Sequence, residues 1–316
     1  MKDARTELIT LGKEIAITLL IVAIVLISLY GYSGRWPPMV VVESSSMSHS
    51  ESSQIGVIDT GDIVVVKTVE PDNIVTYVEG RAKDYSTYGQ YGDVFIFRPM
   101  GSHTQTPIIH RPVVYLEFNG TSFDIPSLKH LDFGTDWWSP QGRDQWWGLN
   151  QTVSIINYGH RNVNVTIRLS PLIRYGHSGF ITMGDNNIRG GTGILDQNAG
   201  ICPAPVKGEW IEGKARGELP WFGIMKLAVM GKTDAVPNNS MVNLVISLVL
   251  IMVIPFVADE VKNHFYHDEE ESQTGGSRTE KSRTEKSRTD KSQTEESRTE
   301  GSQTEESLTD PDDPII

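Results

Sequence analysis

Residues 107–118 read PIIHRPVVYLEF, a mostly aliphatic and aromatic run that is typical of a β-strand. Further short runs of this kind lie at 62–66, 93–97, 163–169 and 179–183, most of them bounded by Gly, Pro, Asn or Asp. No long stretch between the two most hydrophobic segments of the chain has helical periodicity. The sequence therefore predicts a mainly β, antiparallel domain with its polar residues on loops. Pro112 cannot donate to a strand ladder, which predicts a strand edge or end at that position.

Two uncharged apolar segments flank this domain. The first, residues 15–32, begins IAITLLIVAIVLISLY, and these letters alone would extend ~24 Å as a helix against a ~30 Å hydrocarbon core. We interpret it as an uncleaved transmembrane helix. A cleaved signal peptide is the alternative, but no small-x-small cleavage site follows the apolar run. The second segment, residues 241–258, is interpreted as a second transmembrane helix, with a buried core helix as its alternative.

Two spans place both ends of the chain on one side of a membrane and residues 33–236 on the other. Lysines and arginines near the first span are offset by acids, so the flanking charges do not set the orientation. We orient the β-rich domain outward because of the chemistry described below. The expected localisation is the cell membrane, with a short cytoplasmic segment at 1–14, an extracytoplasmic domain at 33–236 and a cytoplasmic tail at 259–316.

The net charge of −12 is unevenly distributed. Residues 259–316 hold 17 acidic and 8 basic residues, and they repeat units such as SRTEK that contain no apolar side chain. This composition predicts a disordered acidic tail. Residues 1–258 have 23 acidic and 20 basic residues, which leaves no basic footprint for nucleic acid. A single cysteine, Cys202, excludes an intramolecular disulfide, and no Cys/His cluster has zinc spacing, so neither metal nor cofactor is expected.

Candidate catalytic residues lie beyond the first apolar segment. Ser46, within residues 43–47, is followed along the chain by His110, by Asp185 in a Gly-Asp-Asn-Asn segment, and by Asp196. A serine, a histidine and an acid are the components of a serine hydrolase, in which histidine acts as the general base. Each has a simpler interpretation as well: a polar linker, a core histidine and a turn. His49 is the one local competitor for the base, and either aspartate could orient it.

Five short segments in this order resemble type I signal peptidases of the archaeal and endoplasmic-reticulum branch, which is peptidase family S26. Each segment is weakly specific alone, and together they cover residues 36–227 in patches. The bacterial branch carries Lys-Arg where this chain has His-Arg, so the histidine favours the archaeal type. The segments are Ser44-Ser45-Ser46-Met47, Thr60-Gly61-Asp62-Ile63-Val64, His110-Arg111, Gly184-Asp185-Asn186-Asn187 and Gly213 to Gly223.

The resemblance implies a role for each matching residue. Ser46 would be the nucleophile, His110 the general base, Asp196 the orienting acid and Asp185 a supporting carboxylate. Ser44, flanking the nucleophile, would assist oxyanion binding, and Arg111 would support the site. The chain departs from the family pattern where Ser45 replaces glycine and where Ser48-His49 replaces a pair that ends in proline.

A long insertion separates His110 from Asp185, and we place it at about residues 119–178. It contains two tryptophan pairs, at 137–138 and 146–147, which we expect to form a core within the insert; contact with a membrane interface is the alternative. Four Asn-x-Ser/Thr sequons, at Asn119, Asn150, Asn164 and Asn238, all lie outside the tail, which suits an outward domain.

Together these features predict a membrane-anchored serine endopeptidase that cleaves N-terminal signal peptides from exported preproteins. The implied fold is a signal-peptidase-like β domain with a long insert, flanked by two transmembrane helices. The implied partners are secretory preproteins, the lipid bilayer and the translocation machinery. Two alternatives stay open: a non-catalytic surface-binding module, in which Ser46 and His110 do not adjoin, and a protease of the same fold that processes one dedicated substrate.

Overall fold

A computed structural model describes residues 2–142 and 144–262. The chain forms two units, residues 1–247 and 248–316. Every strand given below lies in the first unit, and the described part of the second, residues 248–262, is helical. The predicted disordered tail at 259–316 lies outside the described residues from position 263 onward.

Two long helices carry the two apolar segments. Helix α1 spans Lys2–Ser33 and a second long helix, α5, spans Asn238–Lys262. Their apolar portions have mean hydropathies of 2.5 and 2.7, and both are long and apolar enough to cross a membrane. The predicted segments 15–32 and 241–258 lie within these helices. Three shorter helices, α2 to α4, are Tyr77–Lys83, Asp196–Ala199 and Ile224–Val229.

A seven-stranded sheet forms the centre of the fold, and all of its pairings are antiparallel. Six strands follow the order β1-β2-β14-β5-β6-β11, and β7 pairs with β6 at one end. The strand predictions that fall in this sheet are confirmed, with ends that move by at most two residues. Its strands are Met39–Val41, Ile63–Lys67, Phe95–Phe97, Ile108–Phe118, Phe123–Asp124, Gly179–Met183 and Ile211–Leu219, which are β1, β2, β5, β6, β7, β11 and β14.

The insert contributes most of a second sheet, of five strands in the order β12-β13-β10-β9-β8. Strands β8 to β10 come from the predicted insert. Strands β12 and β13 follow it: β13 pairs with β10 in parallel, and β12 pairs with β13. A separate two-stranded hairpin, β3–β4, joins Ser86–Thr87 to Gln90–Tyr91. The second sheet consists of Trp137–Trp138, Thr152–Tyr158, Val163–Arg168, Ile188–Arg189 and Thr192–Gly193.

The tryptophans of the insert divide between its core and its surface. Trp137 is 1% exposed and Trp146 packs partly buried against the same cluster, as predicted. Trp138 and Trp147 are 47% and 52% exposed, so the prediction of a core position is wrong for these two. Successive residues of a strand point to opposite faces, which explains why Trp138 faces away from the core when Trp137 faces into it.

Pro112 lies inside a long strand, so the prediction of a strand end is wrong, but the alternative of a strand edge is confirmed. Among the described strands, β6 has β11 as its one neighbour at this position. Strand β6 pairs with β5 through residues 108–110 and with β11 from Arg111 onward. The β6–β11 register shifts between the pairs Thr182–Pro112 and Ile181–Val114. Such a bulge accommodates a residue that has no N–H to donate, so proline is tolerated there without ending the strand.

Candidate active site

Ser46, His110 and Asp196 form a continuous hydrogen-bonded chain. The Ser46 hydroxyl lies 3.0 Å from Nε2 of His110, and Nδ1 of the same ring lies 2.7 Å from Oδ2 of Asp196. His110 is 4% exposed and Asp196 is fully buried. An imidazole held between a hydroxyl and a buried carboxylate is the arrangement that lets histidine take a proton from the hydroxyl.

His110 owes its position to a change of partner along β6. It pairs with Phe95 of β5, whereas the next residue, Arg111, pairs with Met183 of β11. Within the described structure, residues 108–110 therefore have a strand neighbour on one side only. The imidazole lies next to the point where the pairing of β6 with β11 begins. The loop that carries Ser46 approaches it there.

Asp196 is the first residue of α3 and is held by Thr182 of β11. The Thr182 hydroxyl donates to Oδ2 of Asp196 at 2.7 Å, the same oxygen that contacts His110. Gln197, next in α3, accepts a hydrogen bond from the backbone N–H of Thr182 through its side-chain oxygen at 3.2 Å. These contacts fix the carboxylate against the strand, so its direction toward the imidazole is set by β11.

The segment Gly184-Asp185-Asn186-Asn187 forms the predicted turn, with the Asn187 N–H bonded to the Gly184 carbonyl at 2.9 Å. The turn also holds the serine loop. Asn186 donates its backbone N–H to the carbonyl of Ser46 at 2.8 Å and its side-chain N–H to the carbonyl of Ser45 at 3.0 Å. The backbone that carries the candidate nucleophile is therefore bonded directly to this turn.

Glycine is required at position 184 by the close approach of three segments. A Cβ there would lie 2.5 Å from the Ser46 carbonyl oxygen and 2.8 Å from Nε2 of His110. Both distances are shorter than a non-bonded contact allows. The missing side chain is what lets the turn, the serine loop and the imidazole come together.

Asp185 lies in this turn but binds a different partner from Asp196. Arg111, fully buried, donates Nε and Nη2 to the two carboxylate oxygens at 2.8 and 2.7 Å. Although burial acts to raise it, this guanidinium holds the pKa of Asp185 at about 2, below its usual 3.8. Nη1 of Arg111 is directed to the backbone carbonyls of residues 90–92. The ion pair thus holds the turn against β4. Of the two aspartates, it is Asp196 that contacts His110.

Of the remaining candidates, Ser44 is exposed, and its hydroxyl lies 3.3 Å from that of Ser46. His49, the local competitor for the base, directs Nε2 to Oδ2 of Asp185 at 3.1 Å. The imidazole that is hydrogen-bonded to Ser46 is therefore that of His110 and not that of His49. Among residues 2–142 and 144–262, no group of three His, Cys, Asp or Glu side chains is arranged to hold a metal ion.

A groove of about 870 Å³ leads to the Ser46 hydroxyl. One wall is β1, which in the described structure has β2 as its only strand neighbour, and the other is the singly paired segment 108–110 of β6. Aliphatic side chains line most of both walls. Charged groups mark its margins: Arg35, Glu43, Arg98, Glu212 and Lys226.

Sequence analysis missed three contributors to this site: Thr182, Asn186 and the requirement for Gly184. Asn186 lies inside the Gly-Asp-Asn-Asn segment. It was interpreted only as a turn residue, so its hydrogen bonds to Ser45 and Ser46 were not predicted. Thr182 lies within a predicted strand two residues before Gly184, and its threonine hydroxyl is the only polar side chain of that strand. That isolated polar group was the signal that could have identified it.

No family model matches this chain, and neither do any of the curated proteins or the solved structures with which it was compared.

Proposed function

We propose that this chain is a membrane-anchored serine endopeptidase that removes N-terminal signal peptides from exported preproteins. The observation that carries the proposal is the chain of contacts from the Ser46 hydroxyl through both ring nitrogens of His110 to Asp196, with distances of 3.0 and 2.7 Å. The five sequence segments that resemble type I signal peptidases support the choice of substrate class.

In the first half of the proposed reaction, Ser46 Oγ attacks the scissile carbonyl carbon while His110 Nε2 accepts the hydroxyl proton. The imidazolium is stabilised by Asp196 and donates the proton to the leaving amine as the C–N bond breaks. This leaves an acyl-enzyme on Ser46. A general base of this kind contributes about 10²–10⁴-fold to the rate.

In the second half, water attacks the acyl carbonyl and gives a proton to His110, which returns it to Ser46 Oγ as the ester bond breaks. The products are the released signal peptide with a free carboxylate and the mature chain with a free amine. The Ser46 backbone N–H and the Ser44 hydroxyl are the proposed oxyanion donors. An oxyanion donor is worth about 3–4 kcal/mol in an enzyme of this class.

The groove suits an extended peptide. Strand β1 and the segment 108–110 of β6 line it, and each has one strand neighbour in the described structure. An extended segment can add to such strand edges by backbone hydrogen bonding. Its largely aliphatic lining favours apolar substrate residues. By the family resemblance, small side chains one and three residues before the cut would enter its shallow pockets.

The two apolar helices supply the proposed topology. We infer that α1 and α5 cross the cell membrane, with the β domain outside and both ends of the chain inside. An enzyme and a substrate held in the same bilayer meet far more often than the same molecules in solution. The translocation machinery that delivers preproteins is the expected neighbour.

The 3.0 Å contact between Ser46 and His110 favours this proposal over the non-catalytic binding module, which needs them apart. A protease of the same fold that acts on a single dedicated substrate has the same site and stays the second candidate.

Cleavage of several unrelated preproteins by the purified chain in detergent separates the two. We expect cuts at the signal-peptide junction of most of them, located by N-terminal sequencing of the product, and no product with Ser46→Ala. Cleavage of only one preprotein would favour the dedicated protease.

A further inference from the structure

The insert touches the serine loop through a pair of histidines that the proposed mechanism does not use. His160 lies in the turn between β9 and β10, and its ring stacks on that of His49 with centroids 4.4 Å apart and planes inclined by 23°. His49 is three residues beyond Ser46. This stack joins the second sheet to the loop that carries the candidate nucleophile.

His49 continues the contact to the turn that holds Ser46. Its Nε2 lies 3.1 Å from Oδ2 of Asp185, whose neighbour Asn186 bonds the backbone carbonyls of Ser45 and Ser46. The His49 ring also packs against the β3–β4 turn, since a Cβ on Gly89 would lie 3.1 Å from its Cε1. The ring is therefore fitted between the hairpin, the insert and Asp185.

The turn that presents His160 is itself fixed. The Gly159 N–H donates to the hydroxyl of Tyr77 in α2 at 2.9 Å, and the ring of Tyr158 packs on that of Tyr77 at 4.0 Å. Tyr158 is buried in a hydrophobic core that the insert shares with α2, β6 and β11. His160 is thus carried on a turn that is held to α2 by a hydrogen bond and a ring contact, and a residue that positions another needs such support.

We propose that His160 is a positioning residue for the reaction proposed above: its ring seats His49 against Asp185, so that the insert fixes the loop bearing Ser46. The expected effect of His160 on turnover rests on the proposed function. Its expected effect on the order of the serine loop does not depend on that function. It also assigns a role to the insert, which lies outside the segments that resemble signal peptidases.

His160 contacts His49 by ring packing and not by a hydrogen bond. Neither ring nitrogen of His160 has a hydrogen-bond partner among the described residues. A phenylalanine at this position keeps an aromatic ring for the stack and gives up no hydrogen bond. His160→Phe should therefore preserve the support that His160→Ala removes.

The test compares these two variants of the full chain in detergent micelles. For His160→Ala we expect kcat for preprotein cleavage to fall about 10-fold with KM within about 2-fold, because a small misplacement of the nucleophile slows chemistry rather than binding. His160→Phe should restore kcat to within about 2-fold of the unaltered chain. His177→Ala is the matched control, because the ring of His177 also makes aromatic contacts, but with Tyr175 and Trp210, and its Nδ1 lies 2.9 Å from the carbonyl oxygen of Ser178.

Hydrogen–deuterium exchange provides a readout that needs no activity. Amides of residues 44–50 should exchange faster in His160→Ala, and at the original rate in His160→Phe and His177→Ala. The inference would be overturned if the exchange rates of residues 44–50 were unchanged in His160→Ala. It would also be overturned if His160→Ala and His160→Phe raised these rates equally. If the unaltered chain cleaves no preprotein, the proposed function fails, and exchange alone then decides the role of His160.

Discussion

Nδ1 of His110 lies 2.7 Å from Oδ2 of Asp196, although 86 residues separate the two along the chain. The other aspartate of the site, Asp185, forms a bidentate ion pair with Arg111 instead. The two acids therefore have different expected roles. Asp196 orients the imidazole, and Asp185 holds the turn that binds the serine loop.

Replacing each aspartate with alanine should separate these roles. Asp196→Ala should lower kcat about 10⁴-fold with little change in KM, because the imidazole loses the group that fixes its tautomer. Asp185→Ala should instead lower the free energy of unfolding by about 3–5 kcal/mol, because it leaves the buried Arg111 unpaired. Steady-state cleavage kinetics and chemical unfolding in detergent measure the two effects. Equal and undiminished activity in both variants would rule out an orienting acid.

Gly184→Ala should inactivate the site without removing any functional group. The added methyl would meet the Ser46 carbonyl and Nε2 of His110 at 2.5 and 2.8 Å, so the serine and the imidazole must separate. We expect kcat to fall at least 10²-fold, since a displacement of about 1 Å is that costly. Gly217→Ala is the control, because a Cβ there has no heavy atom within 4 Å. Normal cleavage by Gly184→Ala would contradict the observed packing.

How far the sequence predicts this site depends on whether the signal is local. Residues 179–183 were predicted as a strand, and the observed strand has the same first and last residues. This prediction is possible because a short apolar run bounded by glycine is a local signal for a strand. The turn at Gly184 was likewise predictable. The bonds from Asn186 to Ser45 and Ser46, by contrast, join segments about 140 positions apart, and no local pattern encodes which segments meet.

The choice between the two acids shows the same limit. Family resemblance favoured Asp196, whereas spacing alone left both aspartates open. What separates them is the partner that each finds in space: Thr182 and His110 for Asp196, and Arg111 for Asp185. The stack of His160 on His49 was beyond prediction for the same reason, because the insert has no recognisable motif at that turn.

The stability of the protein should depend on pH through His160. Burial, and then the neighbouring His49 and Arg161, lower the pKa of His160 below its usual 6.5, while Asp185 acts in the opposite direction. A histidine with a lowered pKa favours the folded state while it is neutral, so this contribution is complete above pH 6.5 and is lost as the pH falls below it. The melting temperature of His160→Phe should therefore fall less than that of the unaltered chain between about pH 7 and about pH 5, where histidine titrates.

Thermal unfolding of both proteins in detergent, followed by near-ultraviolet circular dichroism, measures this difference. A His160→Phe variant that loses stability as steeply as the unaltered chain would show that the histidine stack does not contribute to the pH response.

Cysteine labelling should establish the membrane topology. The single native thiol, Cys202, is buried, so an added cysteine can be labelled against a low background. Asn150→Cys, at an exposed position of the insert, should react with a membrane-impermeant maleimide in intact cells. Ser307→Cys, in the tail, should react only after the membrane is permeabilised. The reverse pattern would place the candidate site in the cytoplasm and contradict export processing.

The central claim is that Ser46 and His110 act as one unit, and a double-mutant cycle tests it most directly. Single-turnover cleavage of a preprotein is measured for the unaltered chain, Ser46→Ala, His110→Ala and the double variant. Each single variant should be slower by at least about 10³-fold, and the double variant no slower than either, as is found for residues that share one proton transfer. Measurable cleavage at the original rate by either single variant, or losses that multiply in the double variant, would contradict the claim.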